Sequence, residues 1–390
     1  MNSSIKKLET TIKKIQEKIN LNPEQSAKKH ETIQEISNRI KEIKAVRYKH
    51  FQDIAKANWR LQGELVNKHW CQSGKEKKGR DTIMEMRRVD SSPPNYTTNS
   101  TEMSKEMAKH HINVQKLDTD TPKNIRQEET TNLLKDMPKI NELDANTLAK
   151  ELEYSEIEMA IKESPNDKAP GLNGIPTELY KTLHKRFTTT QKEQKPCFNV
   201  IKLLQMAYND IINNGTTTKT ELLEGWLCPI YKKKDRREAV NYRPITILNA
   251  EYKILTTAIM NRLSLVAPKI IHKCQAAFVK GRSIFDQIDL TTRMLQLSEK
   301  CEQNGAIILL DQEKAYDRIR HDYLWQVLET ANVPANLINL IKALYKNART
   351  TVILNGTLSP PFPVERGVRQ GDPLSCLLFN LAIEPMSKLI

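Results

Sequence analysis

Nothing in this chain stays apolar for long enough to cross a bilayer. Its longest apolar runs, Ala306–Leu310 and Cys376–Phe379, fall far short of the roughly 20 residues a membrane helix needs. The first residues, Met1-Asn2-Ser3-Ser4-Ile5-Lys6-Lys7, have no apolar core of the kind a secretory leader carries. Cysteine is sparse and scattered: Cys71, Cys197, Cys228, Cys274, Cys301 and Cys376 form no Cys-x-x-Cys pair. They read as reduced thiols, so the expected compartment is inside the cell, nucleus or cytoplasm. His69 stands near Cys71 and His110 beside His111, but no second pair gives either the spacing of a zinc site. No fixed-period repeat appears. Acidic residues are in deficit, 47 Asp and Glu against 61 Lys and Arg, for a formal net charge of +14. That surplus favours a polyanionic partner over a membrane. A solvated basic surface is the plain alternative.

What is present begins with a seam. Ile5, Leu8, Ile12, Ile15 and Ile19 alternate steps of three and four, and Ile33, Ile36, Ile40 and Ile43 repeat the pattern. With Lys and Glu on the flanks, this is coiled-coil spacing. Pro23 separates the two runs and cannot sit inside a helix without losing an amide donor. Residues 1–72 are therefore expected as two short helices, folded as a hairpin or docked on a helical partner. Residues 73–147 are polar and basic around Ser91-Ser92-Pro93-Pro94-Asn95. They read as a linker or connector, with a weaker helical pattern at Glu102–Val114.

From Leu148 the pattern becomes that of a folded domain. A helix around Ile157–Ile161 ends before Pro165, and a Gly/Pro turn follows at Asn166–Pro176. Trp226–Tyr231 alternates like a strand and Asn241–Ile245 returns, leaving Lys232-Lys233-Lys234-Asp235-Arg236-Arg237 as a basic tip. Leu248, Tyr252, Leu255, Ile259 and Leu263 then recur at helical spacing. Asn355-Gly356 supplies the positive φ of a type I′ hairpin. Strands and helices mix in this way in an α+β fold.

Two stretches carry chemistry. Ala306-Ile307-Ile308-Leu309-Leu310 reads as a buried strand that presents Asp311 into a cleft, with Tyr316 five residues on. Alone this is a weak signal, and Tyr316 is equally a core aromatic. Glu365–Ser375 combines a Gly-rich backbone, two guanidiniums, one carboxamide and a helix opened by Pro373, with Asp372 as its cap.

Asp311–Asp317 and Arg366–Ser375 together resemble the palm of a reverse transcriptase of the non-LTR (LINE-type) retrotransposon family. Asn241–Arg262 is similar to that family's fingers block. Gln275–Asp286 is similar to its Gln-x-Gly-Phe-x-x-Gly-Arg-Ser block, with Ala276-Ala277 where Gly is frequent. Asp167–Pro176 resembles an upstream block, with Leu172-Asn173 in place of a commoner Pro-Asp. Cys376 stands where Pro is usual. Five blocks in order over Asn166–Ile390 make the match specific.

The resemblance implies an upstream extension and fingers over 148–305 and a partial palm over 306–390, preceded by a helical basic N-terminal region. It implies RNA-directed DNA synthesis, with an RNA template, a DNA primer and deoxynucleoside triphosphates as partners. The implied cofactor is Mg²⁺, two ions in the complete enzyme, with Mn²⁺ as the alternative. Asp311 is then the catalytic metal ligand, and the carbonyl of Gln312 a second one. Tyr316 gates the sugar, Gln370 and Gly371 lie against the nucleotide and templating base, and Arg243 contacts the triphosphate. Lys232, Lys233 and Lys234 join it without being told apart, Arg282 contacts template or primer, and Asp317 caps the next helix. The family's aromatic-x-Asp-Asp block is not within these residues. The expectation is a polymerase truncated before that block and inactive alone. Two rivals use the same residues: a non-catalytic nucleic-acid-binding relic, and a basic helical interaction protein.

Overall fold

The computed structural model describes residues 8, 10–12, 14–15, 32–40, 42, 82–117, 121–217, 220–301 and 305–387. The chain divides into two compact units, Met1–Arg80 and Asp81–Ile390. In the first, residues 32–40 are helical. Seam residues Leu8, Ile12, Ile15, Ile33 and Ile36 are half-buried and Ile40 is buried, whereas Thr10, Thr11 and Lys14 are exposed. The hairpin expected around Pro23 lies outside the described residues. No described helix is long and apolar enough to cross a membrane.

The second unit opens with a small ladder, β1 (Met86–Arg87) and β2 (Tyr96–Thr97). Helices α1 (Ser100–Gln115), α2 (Lys123–Leu134) and α3 (Glu142–Ala149) follow. The polar reading of residues 73–147 as a linker is thus corrected from residue 82 onward. Met86, Met103 and Met107 are buried in a core with Leu227, Tyr242, Val352 and Phe362. A few well-spaced methionines anchor a segment whose average composition is polar, and Asn99 caps α1 by accepting from the amides of Thr101 and Glu102.

Helices α4 (Tyr154–Glu163), α5 (Thr177–Lys192) and α6 (Val200–Asn214) lead to β3 (Glu224–Tyr231) and β4 (Tyr242–Leu248). These two pair antiparallel, with Pro229 directly opposite Pro244. Along β4, Tyr242, Pro244, Thr246 and Leu248 are buried and Arg243 is exposed, the period-two alternation of a half-covered strand. Helix α7 (Ala250–Ile270) crosses the centre of the larger core, burying Tyr252, Ile254, Leu255 and Ile259 among others. Then come α8 (Ile284–Lys300), α9 (Ala315–Arg318), α10 (His321–Thr330) and α11 (Ala335–Lys346). Strands β5 (Arg349–Leu354), β6 (Thr357–Leu358) and β7 (Phe362–Pro363) and helix α12 (Ser375–Ser387) complete the unit. The sheet order is β4-β3-β5-β6, with β7 also on β5, and β5 lies parallel to β3. The α+β class therefore stands.

The expected buried strand at Ala306–Leu310 is the second correction. The segment joins no ladder. Ile307, Ile308, Leu309 and Leu310 are 58–90% exposed. A strand needs a neighbour for its amides and a surface for its side chains. Among the described residues this segment has neither. Helix α8 is similarly bare: it buries no residue, and Ile284, Phe285, Ile288, Met294 and Leu297 are exposed.

Candidate functional site

A cavity of about 880 Å³ opens between the β3–β4 hairpin, the Asp311–Asp317 segment and the start of α12. Lys232, Lys233, Lys234 and Arg243 line one side, Asp311, Gln312 and Tyr316 another, and Gln370 and Gly371 the back. Of the residues expected to bind metal, nucleotide or nucleic acid, all line it except Arg282.

The back wall is built from glycines. Gly371 has φ +120°, and a Cβ there would overlap the Thr246 carbonyl oxygen. Its bare backbone lets the Gln370 carbonyl accept from the Thr246 amide at 2.6 Å. The close approach thus seats the turn on β4. Gly367, at φ +88°, packs likewise on Tyr316 and Asp317, where a Cβ would meet the Tyr316 carbonyl oxygen at 2.7 Å. The next amide, Val368, donates to that same oxygen at 2.8 Å. Only glycine tolerates both the dihedral and the contact.

The two guanidiniums of this block donate to backbone carbonyls of the fold. Arg366 donates to the Val114 carbonyl through Nη2 at 2.7 Å, closing the C-terminus of α1. Arg369 is buried and donates through Nη2 to the Leu223 carbonyl at 2.5 Å. Asp372 acts as the cap expected: its Oδ1 accepts from the Leu374 amide at 3.0 Å, and its Oδ2 from the Tyr252 hydroxyl at 3.1 Å. Burial raises its pKa above the usual carboxylate range.

Tyr316 is half-buried and stacks on Phe379 of α12, ring centres 4.6 Å apart and 11° from parallel. Burial and then a hydrogen bond with Cys376 hold its phenol above the ordinary range. Cys376, the departure from the family pattern, is thus the partner of the floor ring. Asp317 does not cap the next helix. It is 8% exposed and accepts from the Gln370 side-chain amide at 3.4 Å. Burial pushes its pKa up to about 6, against the opposing pull of Lys314. The spacing in Asp311–Asp317 carries no sign of which carboxylate turns inward, so sequence reasoning misplaced this one.

On the hairpin side, the tip is shaped by an Arg237–Asp235 ion pair at 2.8 Å and by tyrosine hydroxyls. The Tyr231 hydroxyl donates to the Lys234 carbonyl and the Tyr242 hydroxyl to the Arg236 carbonyl, both at 2.6 Å. The Arg236 guanidinium lies 4.4 Å over the Tyr231 ring. Arg243 extends from β4 on the exposed face. Arg282 does not line the cavity. Nη1 donates to the carbonyls of His272 (2.6 Å) and Gln275 (2.8 Å), and Nη2 to those of Ile271 (2.8 Å) and Pro268 (3.2 Å). It closes the C-terminus of α7.

Asp311 is exposed at the cavity rim. With the Gln312 carbonyl it offers oxygen ligands, the kind that suit Mg²⁺. No group of three His, Cys, Asp or Glu able to hold a metal occurs among the described residues. The donor chemistry matches a divalent ion and the shell is incomplete.

Residues 231–390 match the family described as Reverse transcriptase (RNA-dependent DNA polymerase). The chain is 31% identical over 254 residues to the transposon TX1 uncharacterized 149 kDa protein of Xenopus laevis, covering 65% of this chain and 18% of that one. It is 27% identical over 235 residues to the probable RNA-directed DNA polymerase from transposon BS of Drosophila melanogaster, covering 60% and 24%. It is 24% identical over 186 residues to the Pol polyprotein from the type-1 retrotransposable element R2 of Nasonia vitripennis, covering 48% and 18%. The chain thus spans less than a quarter of each of these relatives. It carries a reverse transcriptase domain akin to those of non-LTR retrotransposons.

Proposed function

We propose that the cavity is the nucleotidyl-transfer cleft of an RNA-directed DNA polymerase from a LINE-type retrotransposon, working in the complete protein on an RNA template and a DNA primer. One observation carries this reading. Arg243, the Asp311–Tyr316 segment and Gln370 lie far apart in sequence and converge on a single 880 Å³ cavity. Arg243 and the Lys232–Lys234 tip supply positive charge on one side, where a guanidinium fork suits triphosphate oxygens. The stacked Tyr316–Phe379 pair makes a rigid floor, placed to exclude a ribose 2′ hydroxyl. Gln370, held by the Thr246 amide and by Asp317, offers a fixed face to a base.

Asp311 and the Gln312 carbonyl are the groups that would hold a divalent ion, Mg²⁺ or in its place Mn²⁺. Such ions neutralise and orient phosphoryl oxygens in this class of reaction. A second reading, nucleic-acid binding without chemistry, has one observation in its favour: the three-ligand metal cluster missing among the described residues.

The test is binding of deoxynucleoside triphosphate and single-stranded RNA to the 390-residue chain. Affinity for RNA is expected to fall steeply with salt. Replacing Lys232, Lys233 and Lys234 with Ala is expected to flatten the slope of log K against log salt, by about 0.7 for each phosphate no longer neutralised. Tyr316→Val is expected to narrow the preference for deoxynucleotide over ribonucleotide. Salt-independent binding, or an unchanged slope, counts against the cleft.

A further inference from the structure

Phe278 stands in the loop between α7 and α8, on the same cavity as Asp311 and Gln370. It is 65% exposed. Its φ is +56°, and it is the one aromatic residue in the left-handed region among the described residues. A bulky side chain rarely adopts this conformation, because its Cβ crowds the following carbonyl. The fold therefore carries a strained backbone and an unburied ring at one position.

The loop around it is held by groups that are expensive to bury. Glu384 of α12, fully buried, accepts from the His272 amide at 2.9 Å and the Gln275 side-chain amide at 2.5 Å. Asn380, also buried, donates to the Ala277 carbonyl at 2.5 Å. Arg282 binds the four carbonyls already described, and Val279 is buried immediately after Phe278. A buried carboxylate is costly unless it has such partners. Here those partners fix the turn that aims the ring into the cavity. Backbone strain maintained by surrounding structure points to function.

We propose that Phe278 is a stacking platform for a nucleobase in the cleft. A base offers a flat apolar face, and the strand or nucleotide that carries it is the polyanion Lys232 and Arg243 attract. This rests on the polymerase reading of the same cavity. The base comes from one of two sources, a nucleic-acid strand or a free nucleotide.

The test titrates the 390-residue chain and its Phe278→Ala and Phe278→Trp variants with three probes. These are a short single-stranded RNA, an abasic strand of equal length, and dATP with Mg²⁺. Phe278→Ala is expected to weaken a base-carrying probe about 5- to 100-fold. It leaves the abasic strand unchanged, and it leaves the salt slope of RNA binding unchanged because every phosphate keeps its cation. Phe278→Trp keeps the ring and keeps the affinity. Loss on RNA assigns the platform to the strand, and loss on dATP to the incoming nucleotide. Equal affinity of wild type and Phe278→Ala for both base-carrying probes overturns the proposal alone, as does an equal loss on the abasic strand or in Phe278→Trp. A wild-type chain that binds none of the three overturns the polymerase reading, and the platform with it.

Discussion

Residues 369–372 and Asp311 line one cavity, and the fold treats the segments they belong to, residues 365–375 and 306–311, in opposite ways. The first is fastened on every side. Its glycines touch β4 and the Tyr316–Asp317 backbone, its arginines reach α1 and the Leu223 carbonyl, and Asp372 is gripped by Tyr252. The second is extended and bare, with Leu309 90% exposed. Both contain apolar or glycine-rich stretches that read as ordered. What separates them is backbone satisfaction. The glycine-rich turn finds acceptors and donors on three elements, while the apolar run finds none among the described residues.

The comparison breaks most readily at Gly371. Gly371→Val puts a branched Cβ into the Thr246 carbonyl and demands a positive φ from a β-branched residue. A loss of about 3 kcal/mol or more is expected in chemical denaturation. A loss below about 1 kcal/mol would mean that the turn is not seated on β4.

Asp317 gives the next effect, and its sign is definite. Its folded pKa, about 6, lies above the roughly 3.9 of an unfolded Asp. The neutral form is favoured by folding, so this contribution is fully present below pH 4 and is lost as pH rises through 6. Wild type should lose on the order of 3 kcal/mol from this group between those limits. Asp317→Asn should lack that part of the pH dependence and be more stable than wild type at pH 7.5. Because Asp372 shifts in the same direction, the measurement that counts is the difference between wild type and variant at each pH. Parallel pH curves would remove Asp317 from the account.

Arg282→Ala strips four carbonyls of a donor at the end of α7, and about 1–3 kcal/mol is expected. If stability holds while RNA affinity falls, the guanidinium belongs to a ligand after all. The smallest effect sharpens the contrast from the other side. Leu309→Lys, at a site with no packing to lose, should change stability by less than about 0.5 kcal/mol. A large loss would show that the run is buried in solution.

Much of the arrangement was legible in advance. The β3–β4 hairpin followed from alternation, α7 from its 3.6-residue spacing, and the Gly-rich turn from the residues that allow close approach. Convergence of Asp311, Tyr316, Arg243 and Gln370 followed from family resemblance rather than from periodicity. Three things were not legible. Met86, Met103 and Met107 are too far apart to raise local hydropathy, so a packed segment looked like a linker. Asp317 and Asp311 look alike until burial separates them. Phe278 falls in the Gln275–Asp286 block, but its strain is a property of φ and leaves no mark in composition.

The bare face of α8 has a consequence for how the protein behaves as a colloid. A net charge of +14 opposes the approach of another copy to its exposed Ile, Phe, Met and Leu residues. Salt shortens the reach of that repulsion to about 8 Å at physiological strength and about 3 Å at 1 M. The ionic strength that strips a polyanion from the basic hairpin therefore also draws apolar faces together. A scattering measurement on the ligand-free chain, taken across the same salt range, separates release of the strand from self-association of the protein that held it.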